Sequence, residues 1–314
     1  MFHPIPFVLL ATFLGCSHTS DVTDPSLAQI VKVHSSHGCD VPQGKRVVLA
    51  GYGKAAAQND ILGQANVGVT YVNGQSLPPV NAETLALYRK AAEKGRAVEQ
   101  AYLGYLYQNG KGVPQSDSDA VAWYRKAADQ GHAGGQAFLG YMYQRGRGVP
   151  QSDSDAVAWY RKAAEQGNVM GQFNLGQMYA NGLGVPQSDS DAVAWFSKAA
   201  DQGHAGAQAL LGFKYRHGKG VPQSDAQAVA WYRRAAEQGH AEGQKGLGLM
   251  YANGLGVPQD AVKAHMWENL ALLNGAATAG ALRDELAKKM TPAQLSQAQA
   301  MAQTCRTSNY TTCE

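Results

Sequence analysis

The chain has little charge of either sign. Only 16% of its 314 residues are Asp, Glu, Lys or Arg, and the formal net charge is +3. No run of like charges occurs, whereas a nucleic-acid-binding protein uses basic clusters to neutralise phosphates. We therefore expect no nucleic-acid partner. A hydrophobic fraction of 45% is typical of a folded globular chain.

The N-terminal apolar stretch, residues 5–14, is too short to cross a bilayer, which takes about 20 residues. It fits the apolar region of a secretory signal, although no Lys or Arg precedes it. The following FLGC resembles a bacterial lipobox, with Phe13 where that motif usually has Leu. We expect residues 1–16 to be a lipoprotein signal, Cys16 to be the acylated N-terminus of the mature protein and residues 17–26 to be a linker. The alternatives are an ordinary cleaved signal and an uncleaved apolar N-terminus.

If this interpretation holds, the protein faces the periplasm and its only attachment to a membrane is the lipid on Cys16. Ser17 after the cysteine resembles the pattern that directs lipoproteins to the outer membrane. Without lipidation, the protein is expected to be periplasmic or secreted.

Cysteine is scarce, with four in the chain. No C-x-x-C, C-x-x-C-H or H-x₃-H spacing occurs, so we expect no structural zinc or haem site and no cofactor. Disulfides persist in the oxidising compartments that receive exported proteins. Cys305 and Cys313 lie close together beyond the last helical pattern, and we expect them to be bonded, leaving Cys39 free.

The tryptophans recur at a spacing of 36 residues, at positions 123, 159, 195, 231 and 267. Leu-Gly pairs and Gly-x-Gly-Val-Pro-Gln segments follow the same period, which identifies a repeat protein. Each unit contains two short segments with apolar residues at helical spacing, and each segment ends at a glycine. This pattern predicts two short antiparallel helices per unit. We expect the tryptophan rings to fill the space between neighbouring units.

The regular repeats cover residues 97–275, and weaker copies of the pattern extend over residues 27–96, giving about seven units. Residues 276–314 follow the last repeat as two capping helices and a tail, the second helix beginning at Thr291-Pro292.

The unit LGYMYQRGRGVPQSDSDAVAWYRKAAEQG resembles the Sel1-like repeat, a relative of the tetratricopeptide repeat. The resemblance rests on Leu-Gly, Tyr143, Gly-x-Gly-Val, Gln151, Trp159-Tyr160 and Lys-Ala-Ala. It implies an all-α fold, an α/α solenoid of helix-turn-helix repeats with a C-terminal helical cap. It also implies scaffolding and binding of another protein.

The SDSD core of the unit could be a D-x-D metal site or the start of a helix. Ser116 and Asp119 have the spacing of a capping box, and the last unit has Asp260 at the cap position. Since Asp117 and Asp119 diverge on a helix, we interpret the segment as a cap. His132, His204 and His240 recur between units too far apart to share a metal, and we expect exposed loop residues.

No catalytic motif of the common hydrolases occurs, so we expect no enzyme activity. Cysteine-rich members of the family are associated with penicillin binding or β-lactamase activity. Because residues 97–267 contain no cysteine, a β-lactamase-like hydrolase is the least favoured alternative.

Specificity should lie where the copies differ, on the first helix of each unit. The expected partner-binding residues, lining the concave groove of the solenoid, are Tyr102, Tyr105, Asn109, Phe138, Tyr141, Arg145, Asn174, Gln177, Phe213 and His217. Tyr and Arg are enriched at binding hot spots. We expect an adaptor of the bacterial envelope that binds a protein of an envelope complex; the alternative is an immunity lipoprotein that neutralises a secreted toxin or lipase effector.

Overall fold

The computed structural model describes residues 82–313, and in this range it contains thirteen helices and no strand. The helices are α1 (Ala82–Glu93), α2 (Ala97–Asn109), α3 (Asp117–Asp129), α4 (Ala133–Arg145), α5 (Asp153–Glu165), α6 (Val169–Asn181), α7 (Asp189–Asp201), α8 (Ala205–His217), α9 (Asp225–Ala236), α10 (Ala241–Asn253), α11 (Ala261–Leu273), α12 (Ala279–Lys289) and α13 (Pro292–Thr307). The predicted all-α solenoid is confirmed. The predictions for Cys16, Cys39 and the linker at 17–26 fall outside the described residues.

The described residues form two compact units, an N-terminal unit of residues 82–172 and a C-terminal unit of residues 173–313, with the boundary inside α6. In the N-terminal unit, α2 pairs with α3 and α4 pairs with α5. In the C-terminal unit, α8 pairs with α9, α10 pairs with α11, and both α12 and α13 pack on α11. We call α2, α4, α6, α8 and α10 the first helices, and α3, α5, α7, α9 and α11 the second helices.

The second helices begin at side-chain caps. The hydroxyl oxygen of Ser116 accepts the backbone N–H of Asp119 at 3.2 Å, and Ser152 accepts that of Asp155 at the same distance. In the last repeat, a carboxylate oxygen of Asp260 accepts the N–H groups of Val262 and Lys263. Since the first turn of a helix leaves its N–H groups without backbone acceptors, these bonds fix where each second helix starts. The cap interpretation of the SDSD segment is confirmed.

Four of the five first helices, α4, α6, α8 and α10, also begin at side-chain caps, and here the expectation for the histidines is wrong. Nδ1 of His132 accepts the backbone N–H of Gly135 at 3.2 Å, and the side chain is buried. His204 and His240 make the same bond to residues Ala207 and Gly243. Burial lowers the pKa of His132 to about 4, which keeps Nδ1 available as an acceptor at neutral pH.

The expectation for the tryptophans holds fully only in the last repeat, whereas Trp123 and Trp159 pack at the edges of hydrophobic clusters of the N-terminal unit. Trp267 is fully buried. Trp123 and Trp159 are half-buried, and the ammonium groups of Lys126 and Lys162 lie 4.0 and 4.1 Å from their ring centres. The fully buried aromatic is the next residue, Tyr124 or Tyr160 in the N-terminal unit and Phe196 or Tyr232 in the C-terminal unit.

Each buried aromatic ring lies directly on a first-helix glycine. A Cβ atom placed on Gly140 would lie 2.8 Å from Cδ1 of Tyr160, closer than a carbon atom can approach. Gly104 has the same relation to Tyr124. The Tyr160 hydroxyl then donates to Oε1 of Gln144 at 2.9 Å, so its polar end is satisfied. The Leu-Gly pair is therefore required by the close approach of the two helices.

The C-terminal unit ends in α12 and α13. Thr291 and Gln294 form a complete capping box at the start of α13, and a disulfide joins Cys305 and Cys313, the pair expected to be bonded. Among the described helices, none is long and apolar enough to cross a membrane.

Replacing Ser152 by Ala should lower the free energy of unfolding by about 0.5–2 kcal/mol, because the N–H of Asp155 loses its acceptor. Denaturant titration followed by circular dichroism would measure the change. Ser296→Ala, at an exposed position in the interior of α13, is the matched control and should not destabilise the protein, because Ala is the better helix former. An unchanged midpoint for Ser152→Ala would contradict the cap.

Candidate polypeptide-binding face

The ten predicted binding residues occupy three positions on the first helices. The first position, that of Tyr102 and Phe138, faces the preceding second helix. The ring of Phe138 stacks on Tyr124 with 5.0 Å between centres, and Phe138 is only 7% exposed. Tyr102 packs at 4.6 Å on the ring of Tyr88. Phe138 is therefore corrected to a core residue, and Tyr102 belongs mainly to the packing between repeats.

The second position is the one that reaches the surface with a large side chain. In the N-terminal unit, Tyr105 and Tyr141 are half-buried, and in the C-terminal unit Phe213 is 40% exposed. Asn174 and Gln177, in the first and second positions of α6, are half-buried. An aromatic ring that is partly exposed on a rigid helix can contact a partner without a large loss of side-chain entropy.

The third position is fully exposed. The Arg145 guanidinium lies 5.8 Å from the ring centre of Tyr141. The Asn109 amide donates to the carbonyl of Tyr105 at 2.8 Å, so this side chain also satisfies the C-terminal end of α2. In the C-terminal unit, the ring of His217 lies 4.4 Å from that of Phe213.

We define the first-helix face by the surface residues of the N-terminal unit, Tyr105, Asn109, Tyr141 and Arg145. Its two helices, α2 and α4, contact each other side by side. In the C-terminal unit, the corresponding residues are Gln177, Phe213 and His217.

The sequence analysis missed the cations of the Gly-x-Gly loops. Nζ of Lys111 donates to the hydroxyl of Tyr105 at 2.8 Å. The guanidinium of Arg147 donates to both carboxylate oxygens of Asp117, at 2.9 and 2.7 Å. These bonds to Asp117 raise the pKa of Arg147, and Tyr141 acts in the same direction. The middle residue of the Gly-x-Gly loop recurs every 36 residues and differs between repeats, so the sequence does contain a signal for these cations.

The C-terminal unit contains polar side chains where other repeats have apolar ones. Lys214 stands where α2, α4, α6 and α10 have Leu or Met, and it forms an ion pair with Asp189. In α11, His265 replaces a Val and Glu268 replaces the buried aromatic. The Glu268 carboxylate packs on Gly248, is 0% exposed and has no hydrogen-bond partner among the described residues.

The chemistry of these groups suits binding of a partner. The first-helix face offers two aromatic rings and an exposed guanidinium, and Lys111 beside it adds an ammonium group. Such groups form stacking contacts, cation–π contacts and charge-assisted hydrogen bonds. Among the described residues, no group of three or more His, Cys, Asp or Glu side chains is placed to hold a metal ion.

Comparisons with known proteins are consistent with this repeat architecture. A family model described as Sel1 repeat matches residues 61–95, 100–132, 133–168, 169–204, 205–240 and 241–275. A Sel1 repeat protein from Oxalobacter formigenes is 35% identical, with a TM-score of 0.57 over 62% of this chain and 79% of that one. No curated protein matches the sequence significantly.

Two further solved structures are more distant. The protective antigen c5321 of uropathogenic Escherichia coli, described as having an SLR fold, is 27% identical, with a TM-score of 0.43 over 91% of this chain and 85% of that one. The immunity protein Pa5087 from Pseudomonas aeruginosa is 21% identical, with a TM-score of 0.44 over 80% of this chain and 85% of that one.

Glu268 should make the stability of the C-terminal unit fall as pH rises. Burial raises the pKa of this carboxyl to about 8 from an ordinary value of 4.5. The folded state therefore holds a proton that the unfolded state releases, so stability is greatest below pH 4.5 and is lost as pH rises towards about 8. The unfolding free energy of the native protein minus that of Glu268→Gln should decrease across this interval.

Denaturant titrations at a series of pH values would measure this difference. Glu285→Gln is the matched control. A hydrogen bond from Lys289 lowers the pKa of Glu285, so the protonation of this carboxylate affects stability only at pH values below the interval tested for Glu268. Parallel stability profiles for the native protein and Glu268→Gln would contradict the assignment.

Proposed function

We propose that this chain, which belongs to the Sel1 repeat family, is a non-enzymatic adaptor that binds another polypeptide on its first-helix face. Sel1 repeats are protein-interaction scaffolds. The observation that carries the proposal is that the exposed third position of the first helices changes between Asn, Arg and His, whereas the buried aromatic position of the second helices is Tyr or Phe in every described repeat except the last. Tyr124 and Tyr160 are both buried tyrosines, whereas Asn109 and Arg145 are exposed and unlike.

The composition of the face supports a polypeptide partner. Tyr105 and Tyr141 provide partly exposed rings on neighbouring helices, and Arg145 lies exposed beside Tyr141. Tyrosine and arginine dominate the energetics of many protein interfaces because they combine a large contact area with directional hydrogen bonds. Both helices are held by the contacts between glycines and aromatic rings, and α4 also by its His132 cap, so the surface needs little ordering on binding.

The adaptor is placed in the bacterial cell envelope by this proposal, tethered through a lipid on Cys16. The support is the sequence FLGC after an apolar stretch. The partner is then a component of an envelope complex. The same face would also suit the alternative role, an immunity protein that neutralises a secreted toxin or lipase effector, and identification of the partner separates the two roles.

Replacing Tyr105 and Tyr141 together by Ala should remove partner binding while leaving the fold intact, because both rings lie partly at the surface. The measurement is affinity capture from an envelope extract on the immobilised full chain, with captured proteins identified by mass spectrometry. Lys126→Ala with Lys162→Ala, on the second helices, is the control and should retain the same partner. Unchanged capture by a folded Tyr105→Ala/Tyr141→Ala variant would exclude this face.

Replacing Cys16 by Ser should abolish lipid attachment, because the hydroxyl cannot take the place of the acylated thiol. Metabolic labelling with a fatty acid, followed by membrane fractionation, would show label and membrane association in the native protein only. Cys39→Ser is the matched control and should remain labelled. Label that persists in Cys16→Ser would contradict the proposed anchor.

A further inference from the structure

The residue at the second position of a first helix varies together with the middle residue of the Gly-x-Gly loop that follows that helix. Where the helix residue is aromatic the loop residue is a cation, giving Tyr105 with Lys111, Tyr141 with Arg147 and Phe213 with Lys219. Where the helix residue is Gln177 or Leu249, the loop residue is Leu. The two positions therefore change as a pair within one chain, always six residues apart.

The structure brings the members of each pair into contact. The Lys111 ammonium lies 5.0 Å from the ring centre of Tyr105 and donates a hydrogen bond to its hydroxyl. In the C-terminal unit, the Lys219 ammonium lies 5.5 Å from the ring centre of Phe213. Each pair presents an aromatic ring and a positive charge together, which is a combination that recognises a carboxylate beside an apolar group.

Three cations, Lys111, Arg145 and Arg147, lie at or beside the first-helix face, and they differ in whether a carboxylate neutralises them. Arg147 is bound to the carboxylate of Asp117. Neither Lys111 nor Arg145 forms an ion pair with a carboxylate among the described residues. Two positive charges therefore remain beside the tyrosine rings, available to an external anion.

Charge is also segregated between the two kinds of helix. Residues 133–151, 169–187 and 205–223, each a first helix with its loop, contain no Asp or Glu. In residues 97–115 the single acidic residue is Glu99, which is buried and paired with Arg96. The second helices, by contrast, begin with two acidic residues in α3, α5 and α7. An acidic partner is thus attracted to the first helices, and at the start of α3 the Asp117 carboxylate is already bound to Arg147.

We propose that the first-helix face, together with Lys111, binds an acidic segment of a polypeptide in which carboxylates alternate with apolar or aromatic side chains. Lys111 and Arg145 donate charge-assisted hydrogen bonds to the carboxylates, and the rings of Tyr105 and Tyr141 contact the apolar groups. A polypeptide fits better than a nucleic acid, because phosphate backbones are bound by many cations and this chain carries a net charge of only +3. This inference rests on the proposed function and names the chemistry of its partner.

Fluorescence anisotropy with a labelled copolymer of glutamate and tyrosine tests the proposal on the full chain. Lys111→Ala with Arg145→Ala should weaken binding of the copolymer by about tenfold or more, since two charge-assisted bonds are lost. The matched control is Lys126→Ala with Lys162→Ala, which removes the same charge from cations that lie over the rings of Trp123 and Trp159. The control should change binding by less than about twofold. Circular dichroism must show that both variants remain folded.

Equal weakening by the two double variants would overturn the proposal, because it would show attraction by net charge alone. No binding of the copolymer, or equal binding of a lysine–tyrosine copolymer, would also overturn it, as would preferential competition by a single-stranded oligonucleotide. If Tyr105→Ala/Tyr141→Ala abolishes partner capture but Lys111→Ala/Arg145→Ala leaves copolymer binding unchanged, the acidic partner is wrong and the adaptor role stands. If the tyrosine variant leaves capture unchanged, the adaptor role itself fails.

Discussion

The contact between a first-helix glycine and a second-helix aromatic ring is the constraint on which every described repeat except the last depends. The ring of Tyr160 occupies the space that a Cβ on Gly140 would need, so the two helices approach more closely than any other residue would allow. The buried ring also contacts the next repeat. In the N-terminal unit, for example, Phe138 of the following first helix stacks on the ring of Tyr124. One aromatic residue thus joins its own helix pair and the following one, and because interiors are closely packed this position tolerates little change.

The same constraint explains where variation is tolerated. Positions that face the ring are restricted in size, whereas Tyr105, Tyr141 and Arg145 reach the surface and can differ without altering the packing. The exceptions are in the C-terminal unit, where Lys214 and Glu268 occupy core positions. Lys214 is compensated by Asp189, whereas the Glu268 carboxyl has no hydrogen-bond partner among the described residues, and its burial raises its pKa.

The sequence predicted the fold because spacing, glycines and caps all depend on local chemistry that recurs with the repeat. It predicted Tyr105, Tyr141 and Arg145 as surface residues but misplaced Phe138, since helical periodicity does not show which side of a helix meets the preceding repeat. The choice between Trp159 and Tyr160 for the core also depends on a neighbouring glycine rather than on hydrophobicity. His132 was missed as a cap because a buried imidazole acceptor is recognised only when its backbone partner is known.

In the adaptor role, a partner polypeptide contacts the first helices, where the copies differ, and not the second helices, where they agree. Site-specific photocrosslinking in intact cells distinguishes these two surfaces, with p-benzoylphenylalanine placed at Tyr105 or Tyr141 and, for comparison, at the half-buried Trp123 or Trp159. We expect a crosslinked protein partner from the two tyrosine positions and none from the tryptophan positions. Crosslinks from Trp123 and Trp159 without any from Tyr105 and Tyr141 would exclude the first helices as the binding surface.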